Sequence, residues 1–186
     1  MTIRIRSAGP ADAGAIARVH VDTYWTAYAG IMPAQYLAGL TYRDAESWWE
    51  RALTRHYPAT STVVAETDGG KVVGFARVGP EREGLRTHPG ELYSVYLLEA
   101  YQRQGVGRRL VSAVARSLLA DGLNPMLVWV LQRNHSGRRF YESLGARRIG
   151  QMLVSIGGVR FVEMRYGWED ITGLAVEHNS TSEVFR

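Results

Sequence analysis

Ile3 and Ile5 alternate with Arg4 and Arg6, the period-two pattern of a short half-buried strand. From Ala11 the apolar positions switch to helical spacing, with Pro10 and Asp12 as start signals and Gly30 as a stop, which predicts a helix over about 11–28. Pro33 begins a second short helix through Leu40. Trp48, Trp49 and Leu53 set among charges predict a third over about 42–55, ending before Pro58. TVVAET (Thr62–Thr67) and VVGFARV (Val72–Val78), separated by Asp68, Gly69 and Gly70, predict a hairpin.

Two strand–corner–helix units follow. Residues 91–98 have strand length and composition without clean alternation, so both faces are expected to be covered. From Gly107 the period changes, and Leu110, Val111, Val114, Leu118 and Leu119 form one stripe of a helix to about Asp121, stopped by Gly122. In the second unit MLVWVL (Met126–Leu131) is the strand, Asn134 and His135 the corner, and a short helix runs to Leu144 before Gly145. Strands over about 146–155 and 159–168, joined through Gly157 and Gly158, close the structured part. Beyond Thr172 no period remains. One domain is expected over 1–170, followed by a loosely held C-terminal tail, 171–186.

Composition narrows the function. With 186 residues and 46% hydrophobic content the chain buries one good core. No segment approaches the roughly 18 apolar residues of a membrane helix, and the N-terminus carries no apolar signal region, so a soluble, cytoplasmic protein is expected. Absence of cysteine removes disulfides, sulfur-ligated metal sites and any acyl transfer through a cysteinyl enzyme. The five histidines are scattered without metal-ligand spacing, and no metal is expected. A net charge of +4 arises from interspersed charges rather than a basic tail, which favours a solvated surface or an anionic small ligand over nucleic acid.

The corner between the first strand and its helix, QRQGVG (Gln102–Gly107), carries the most chemistry. Two glycines one residue apart let the backbone turn and let a ligand approach the amide nitrogens closely. Those amides lie on the first turn of a helix, where they lack carbonyl partners and the dipole is positive, so the corner can cradle a pyrophosphate. Arg103, Arg108 and Arg109 add positive charge. The alternative is a tight turn with surface arginines. The dinucleotide fingerprint fails at Leu110, and the P-loop ending is absent.

QRQGVG after an apolar strand resembles the Gln/Arg-x-x-Gly-x-Gly/Ala acyl-CoA signature of the GNAT superfamily of N-acetyltransferases. NHSGRRFYESLGA (Asn134–Ala146) resembles the same superfamily's Asn-x-x-small-x-x-x-Tyr-Glu-x-x-Gly segment at the expected distance downstream. Glu99 and Ala100 depart from the pattern where many relatives carry proline, as does Ala146 where an aromatic usually follows the glycine. The resemblance implies an α+β, GNAT-like three-layer fold, with a mixed, mainly antiparallel central sheet splayed at the acyl-CoA site. It also implies direct acetyl transfer from acetyl-CoA to an amine.

Roles follow from that resemblance. The backbone of Tyr96 and Leu97 is expected along pantetheine, and Gln102, Arg103, Gln104, Gly105, Val106, Gly107 and Arg108 around the pyrophosphate. Asn134 either holds the pantetheine arm or caps the following helix. Tyr141, seven residues on, is assigned by the family as general acid toward the departing thiolate; otherwise it is a core aromatic beside Phe140. Glu91 is the candidate base, against a merely solvated glutamate, with Glu142 pointing away from Tyr141. His20, Tyr24, Trp25 and Tyr28 recur at about one helical turn and form either an acceptor pocket or core. The expected acceptor is a small-molecule primary amine, with a protein or peptide amine, or a non-catalytic acyl-CoA-binding regulatory module, as alternatives. A homodimer is compatible with the resemblance.

Overall fold

The computed structural model describes residues 2–176; the expected tail beyond 176 lies outside the described residues. Strand β1 (Ile3–Ser7) leads through a 3-10 turn at Pro10–Asp12 into α1 (Ala13–Ala27), α2 (Ala34–Ala38) and α3 (Tyr42–Thr54). Strands β2 (Ser61–Thr67), β3 (Val72–Pro80) and β4 (Gly90–Leu97) precede α4 (Val106–Ala120). Then come β5 (Met126–Leu131), α5 (His135–Ser143), β6 (Arg147–Ile156) and β7 (Val159–Trp168). Each element expected from the apolar pattern forms.

The seven strands make one sheet in the order β1-β2-β3-β4-β5-β7-β6. Every neighbouring pair is antiparallel except β4 with β5. That mixed sheet lies between two helical layers, as the α+β expectation requires. On one face α4 and α5 bury Leu110, Val114, Leu118, Tyr141 and Leu144 against Val63, Leu92, Val128, Met164 and Trp168. On the other, Ile16, Ala17 and Trp49 from α1 and α3 cover Val64 and Phe75. A third cluster joins Tyr28, Met32 and Leu37 to Leu131, with Val154, Ile156 and Phe161 packed against it.

The parallel junction is short. β4 and β5 pair only at Gly90–Met126, Glu91–Leu127 and Leu92–Val128, after which the strands part. At the same point Tyr93 bulges, because Arg77 pairs with Ser94 while the next residue, Val78, pairs with Leu92. A bulge bends a strand and increases its twist. Here it coincides with the parting of β4 from β5, leaving an edge of each strand open.

The C-terminal end corrects the expected position of the tail. Ile171 is fully buried in the main core, Leu174 and Ala175 pack against it, and the Ile171 amide donates to Asn124 Oδ1 at 3.1 Å. The chain therefore stays packed on α4 beyond Thr172: Arg116 donates to the Ala175 carbonyl at 3.1 Å. Short aperiodic segments carry no periodic signal even when one side chain, Ile171, is buried and two more, Leu174 and Ala175, are half-buried.

Candidate active site at the parted strands

The glycine corner opens α4. Gly105 is the N-cap with φ of +79°, in the left-handed region, and no side chain caps this helix. Arg103 also has positive φ, at 62°. Among the described residues, the amides of Gly105, Val106, Gly107 and Arg108 find no acceptor, the first intrahelical return being Arg109 N to Gly105 O at 3.1 Å. A Cβ at Gly107 would come within 3.2 Å of the Phe140 ring. The corner is thus a set of converging, unsatisfied N–H groups at the positive end of a helix dipole, and it fits a phosphate-bearing group.

The side chains expected to help divide. Gln102 donates through Nε2 to the Leu97 carbonyl at 2.9 Å and Gln104 through Nε2 to the Ala100 carbonyl at 3.1 Å, so both brace the turn. Arg108 turns to the Ser143 carbonyl at 3.2 Å, and Arg109 to the Ile3 carbonyl at 2.8 Å. Arg103 remains exposed beside the amides.

On the α1 side of the gap the ring of Tyr96 stacks on His20 at 5.6 Å and meets Tyr24 at 5.5 Å, and Tyr24 meets Tyr28 at 4.8 Å. The hydroxyls of Tyr24 and Tyr28 lie close to that of Tyr96, and the three phenols influence one another. Burial pushes Tyr24 up to about 12, with Tyr28 adding to the effect, and raises Tyr28 and Tyr96 as well. His20, also buried, is lowered to about 4 and stays neutral at physiological pH, accepting from Trp49 Nε1 at 3.2 Å.

Trp25 does not join this group. It is 41% exposed, donates to the Leu37 carbonyl at 3.0 Å and packs edge-on against Tyr42, so it ties α1 to α2 on the outer surface. One residue past Tyr24, it points about 100° round the helix. Of the residues expected at the acceptor pocket, the structure thus groups Tyr24 and Tyr28 with His20 and Tyr96, and sets Trp25 apart from them.

The second unit supplies the other wall. Asn134 caps α5, its Oδ1 accepting from Gly137 N at 2.9 Å, and its side chain lies close enough to Tyr28 to lower that phenol against the effect of burial. Both readings of that residue are compatible with one side chain. Tyr141 is buried between Phe140 and Trp168, at ring distances of 5.5 and 6.2 Å. Burial, then the nearby Tyr28, holds its phenol well above the usual range, and among the described residues its hydroxyl has no hydrogen-bond partner.

Two carboxylates face the α1 side. Glu91 is 1% exposed and fully engaged: the Arg82 guanidinium grips both oxygens, and the Arg82 amide donates to Oε2 at 3.2 Å. Glu163 on β7 is different. It is half-buried with no ion pair among the described residues, and burial raises its carboxyl above the ordinary range against the lowering influence of Arg82. Tyr24 and Tyr28 both feel its charge. The sequence reading missed Glu163. Strand alternation puts Phe161, Glu163 and Arg165 on one face, but only the register of β7 against β5 and the packing of α1 show that this face looks into the aromatic group.

Comparison with known proteins agrees with this geometry. Residues 23–146 match the model of the Acetyltransferase (GNAT) family. The chain is 38% identical to the uncharacterized N-acetyltransferase YuaI of Bacillus subtilis, over 92% of this chain and 96% of that one. It is 28% identical to the L-methionine sulfoximine/L-methionine sulfone acetyltransferase of Pseudomonas aeruginosa, covering 82% of this chain and 84% of that protein. Its fold is similar to that of yncA from Salmonella typhimurium, whose structure was solved with its cofactor acetyl-CoA. There the TM-score is 0.66 and the identity 24%, over 98% of this chain and 99% of that one.

Proposed function

This chain belongs to the GNAT acetyltransferase family and is an acetyl-CoA-dependent N-acetyltransferase; from that premise we propose that it acetylates the primary amine of a small molecule. The observation that carries the small acceptor is the closure of the cleft beyond Tyr28. There Met32 and Leu37 pack with Leu131 and Phe161, Tyr36 sits against the Gly157 turn of the β6–β7 hairpin, and Arg133 donates to the Gly30 carbonyl at 3.2 Å. A peptide lying through the site needs an open groove; this end is roofed. The P. aeruginosa relative, named for two amino-acid analogues, supports the same class.

Acetyl-CoA supplies the activated acetyl thioester. The open amides of Gly105 to Arg108 bind its diphosphate, and the free edge of β4 beyond Leu92 lies along its pantetheine arm. Asn134, poised beside Tyr28, positions that arm at the exit of β5.

The acceptor must lose a proton. An alkylamine of pKa near 10.4 is neutral about once in 2,500 molecules at pH 7, a cost of roughly 4.6 kcal/mol. Both Glu91 oxygens are occupied by Arg82, whereas Glu163 is unpaired among the described residues and its carboxyl is raised by burial. We therefore assign Glu163 the proton of the ammonium, taken directly or through a water, and Glu91 the task of holding the Arg82 segment over the site. Tyr141, kept protonated by burial, donates to the departing sulfur.

Thiol release from acetyl-CoA, followed with a panel of small amines and with a peptide library, tests the acceptor class. Turnover confined to small amines is the expected result; turnover of peptides alone overturns it, and acetyl-CoA binding without any amine consumed identifies a binding module instead.

A further inference from the structure

Four buried side-chain atoms lack a hydrogen-bond partner among the described residues: Thr23 Oγ1, His88 Nε2, Trp129 Nε1 and Arg165 Nε. Three of them lie together. Trp129 and Arg165 are register partners across β5 and β7, and the Arg165 guanidinium sits 5.3 Å from the centre of the Trp129 ring. His88 rests on Gly167, two residues along β7 on the same face, where a Cβ would stand 2.7 Å from its Nε2. Gly150 of β6 makes the matching space for Arg165, since a Cβ there would stand 2.7 Å from Nη2. Two glycines thus let three nitrogen-bearing side chains lie flat on one patch of sheet.

Trp129 Nε1 and Arg165 Nε are donors without an acceptor, while the role of His88 Nε2 is set by its tautomer. Arg165 forms no ion pair among the described residues, and Glu163, two residues away on the same face, is not bonded to it. His88 Nδ1 contacts the Thr87 hydroxyl at 3.1 Å, and Nε2 stands 3.7 Å from the Glu169 carboxylate, beyond hydrogen-bonding distance. A buried donor left without an acceptor costs about 1–3 kcal/mol, so such a cluster is completed by a group bringing lone pairs and negative charge. A planar carboxylate matches the guanidinium fork. The unpaired Glu163 carboxylate lies roughly 7 Å away along the strand, measured between Cα atoms, and supplies the opposite pole.

Resting on the small-amine reading above, we propose that Arg165 and Trp129 form an acid-binding subsite beside His88, and that the acceptor is an amino-acid-like molecule whose carboxylate docks there while its amine faces Glu163. The subsite selects zwitterions over simple amines because only they satisfy both poles.

The test uses three matched acceptors with the full chain: L-methionine sulfone, its carboxamide, and the corresponding decarboxylated amine, each followed by thiol release. Wild type is expected to favour the acid in kcat/KM by about ten- to a hundredfold, the range of a charge-assisted contact. In Arg165→Gln that ratio collapses to within about threefold. Trp129→Phe keeps an aromatic face but loses the pyrrole half of the indole together with Nε1–H, lowering the ratio by about two- to tenfold. Calorimetric affinity for CoA verifies that each variant is folded. Equal use of the three acceptors by wild type, or an acid preference surviving in both variants, overturns the subsite while leaving the acetyltransferase reading intact. Failure of these and of every other small amine despite acetyl-CoA binding overturns the acceptor class, and the subsite with it.

Discussion

The two strand–corner–helix units share a pattern and differ in how their helices begin. In the second, Asn134 accepts from Gly137 N at 2.9 Å, and the far end of α5 is met by Arg108 reaching the Ser143 carbonyl. In the first, Gly105 stands at the cap with no side chain to offer, and the following amides remain open. The strands before them do not differ: β4 stays paired with β3 through Leu97 as β5 does with β7 through Leu131, and the two part from each other after Leu92 and Val128. An N-cap side chain is worth about 1 kcal/mol, so the first unit forgoes stability that only an anionic ligand restores. The satisfied helix carries the phenol that needs fixed placement, and the unsatisfied one carries the binding surface.

That division of labour is most exposed to removal of the phenol. Tyr141→Phe is expected to lower kcat by about a hundredfold or more, the usual range for a lost general acid, with the KM for acetyl-CoA little changed. A kcat within threefold of wild type would reduce α5 to scaffolding. Next comes Gly107→Asp, which sets a carboxylate among the open amides and presses a Cβ toward Phe140 at 3.2 Å. Acetyl-CoA affinity, measured by calorimetry, should fall about a hundredfold, since more than one charge-assisted hydrogen bond is lost. Near-normal affinity in the folded variant would leave the corner as a turn.

Legibility followed the same divide. The elements were readable because each apolar stripe has one partner surface, as with Leu110, Val114 and Leu118 on α4. The glycine corner was readable because its chemistry is local, held within Gln102–Arg108. What the sequence hid depends on register and on which way a side chain turns. Glu91 and Glu163 are equivalent as letters, and only Arg82, arriving from the preceding loop, separates a gripped carboxylate from a free one. Trp25 and Tyr24 are adjacent, yet one lies on the outer surface and the other in the cleft. Arg108 keeps its amide in the open set while its side chain turns to the Ser143 carbonyl, a direction that the letters do not carry.

Glu163→Gln sharpens the comparison of the two acids with a smaller effect. The expected loss in kcat is about ten- to a hundredfold near neutral pH. In wild type the rate should fall on acidification through a pKa above the ordinary carboxylate range, and the variant should lose that limb. Stability should move the other way. A carboxyl whose folded pKa is raised favours the fold at pH below its unfolded value and loses that contribution as pH rises through the folded one. At pH 7 the ionised Glu163 therefore opposes folding, and the glutamine variant should melt higher than wild type there, with the advantage gone below about pH 4. A variant equally active at every pH would return the proton to Glu91 or to water.

The smallest effect is expected at Asn134. Asn134→Ala removes the cap and the contact with Tyr28, costing about 1 kcal/mol, or roughly 2–4 °C in Tm. Acetyl-CoA KM should rise less than tenfold, because the diphosphate is held by the other unit. The informative quantity is the order of the two losses across the pair of corners. Asn134→Ala should lower the melting temperature more than it weakens acetyl-CoA, and Gly107→Asp should do the reverse. Equal ratios in the two variants would mean that stability and binding are shared between the corners. Opposite ratios mean that one helix start is kept closed so that the other can stay open.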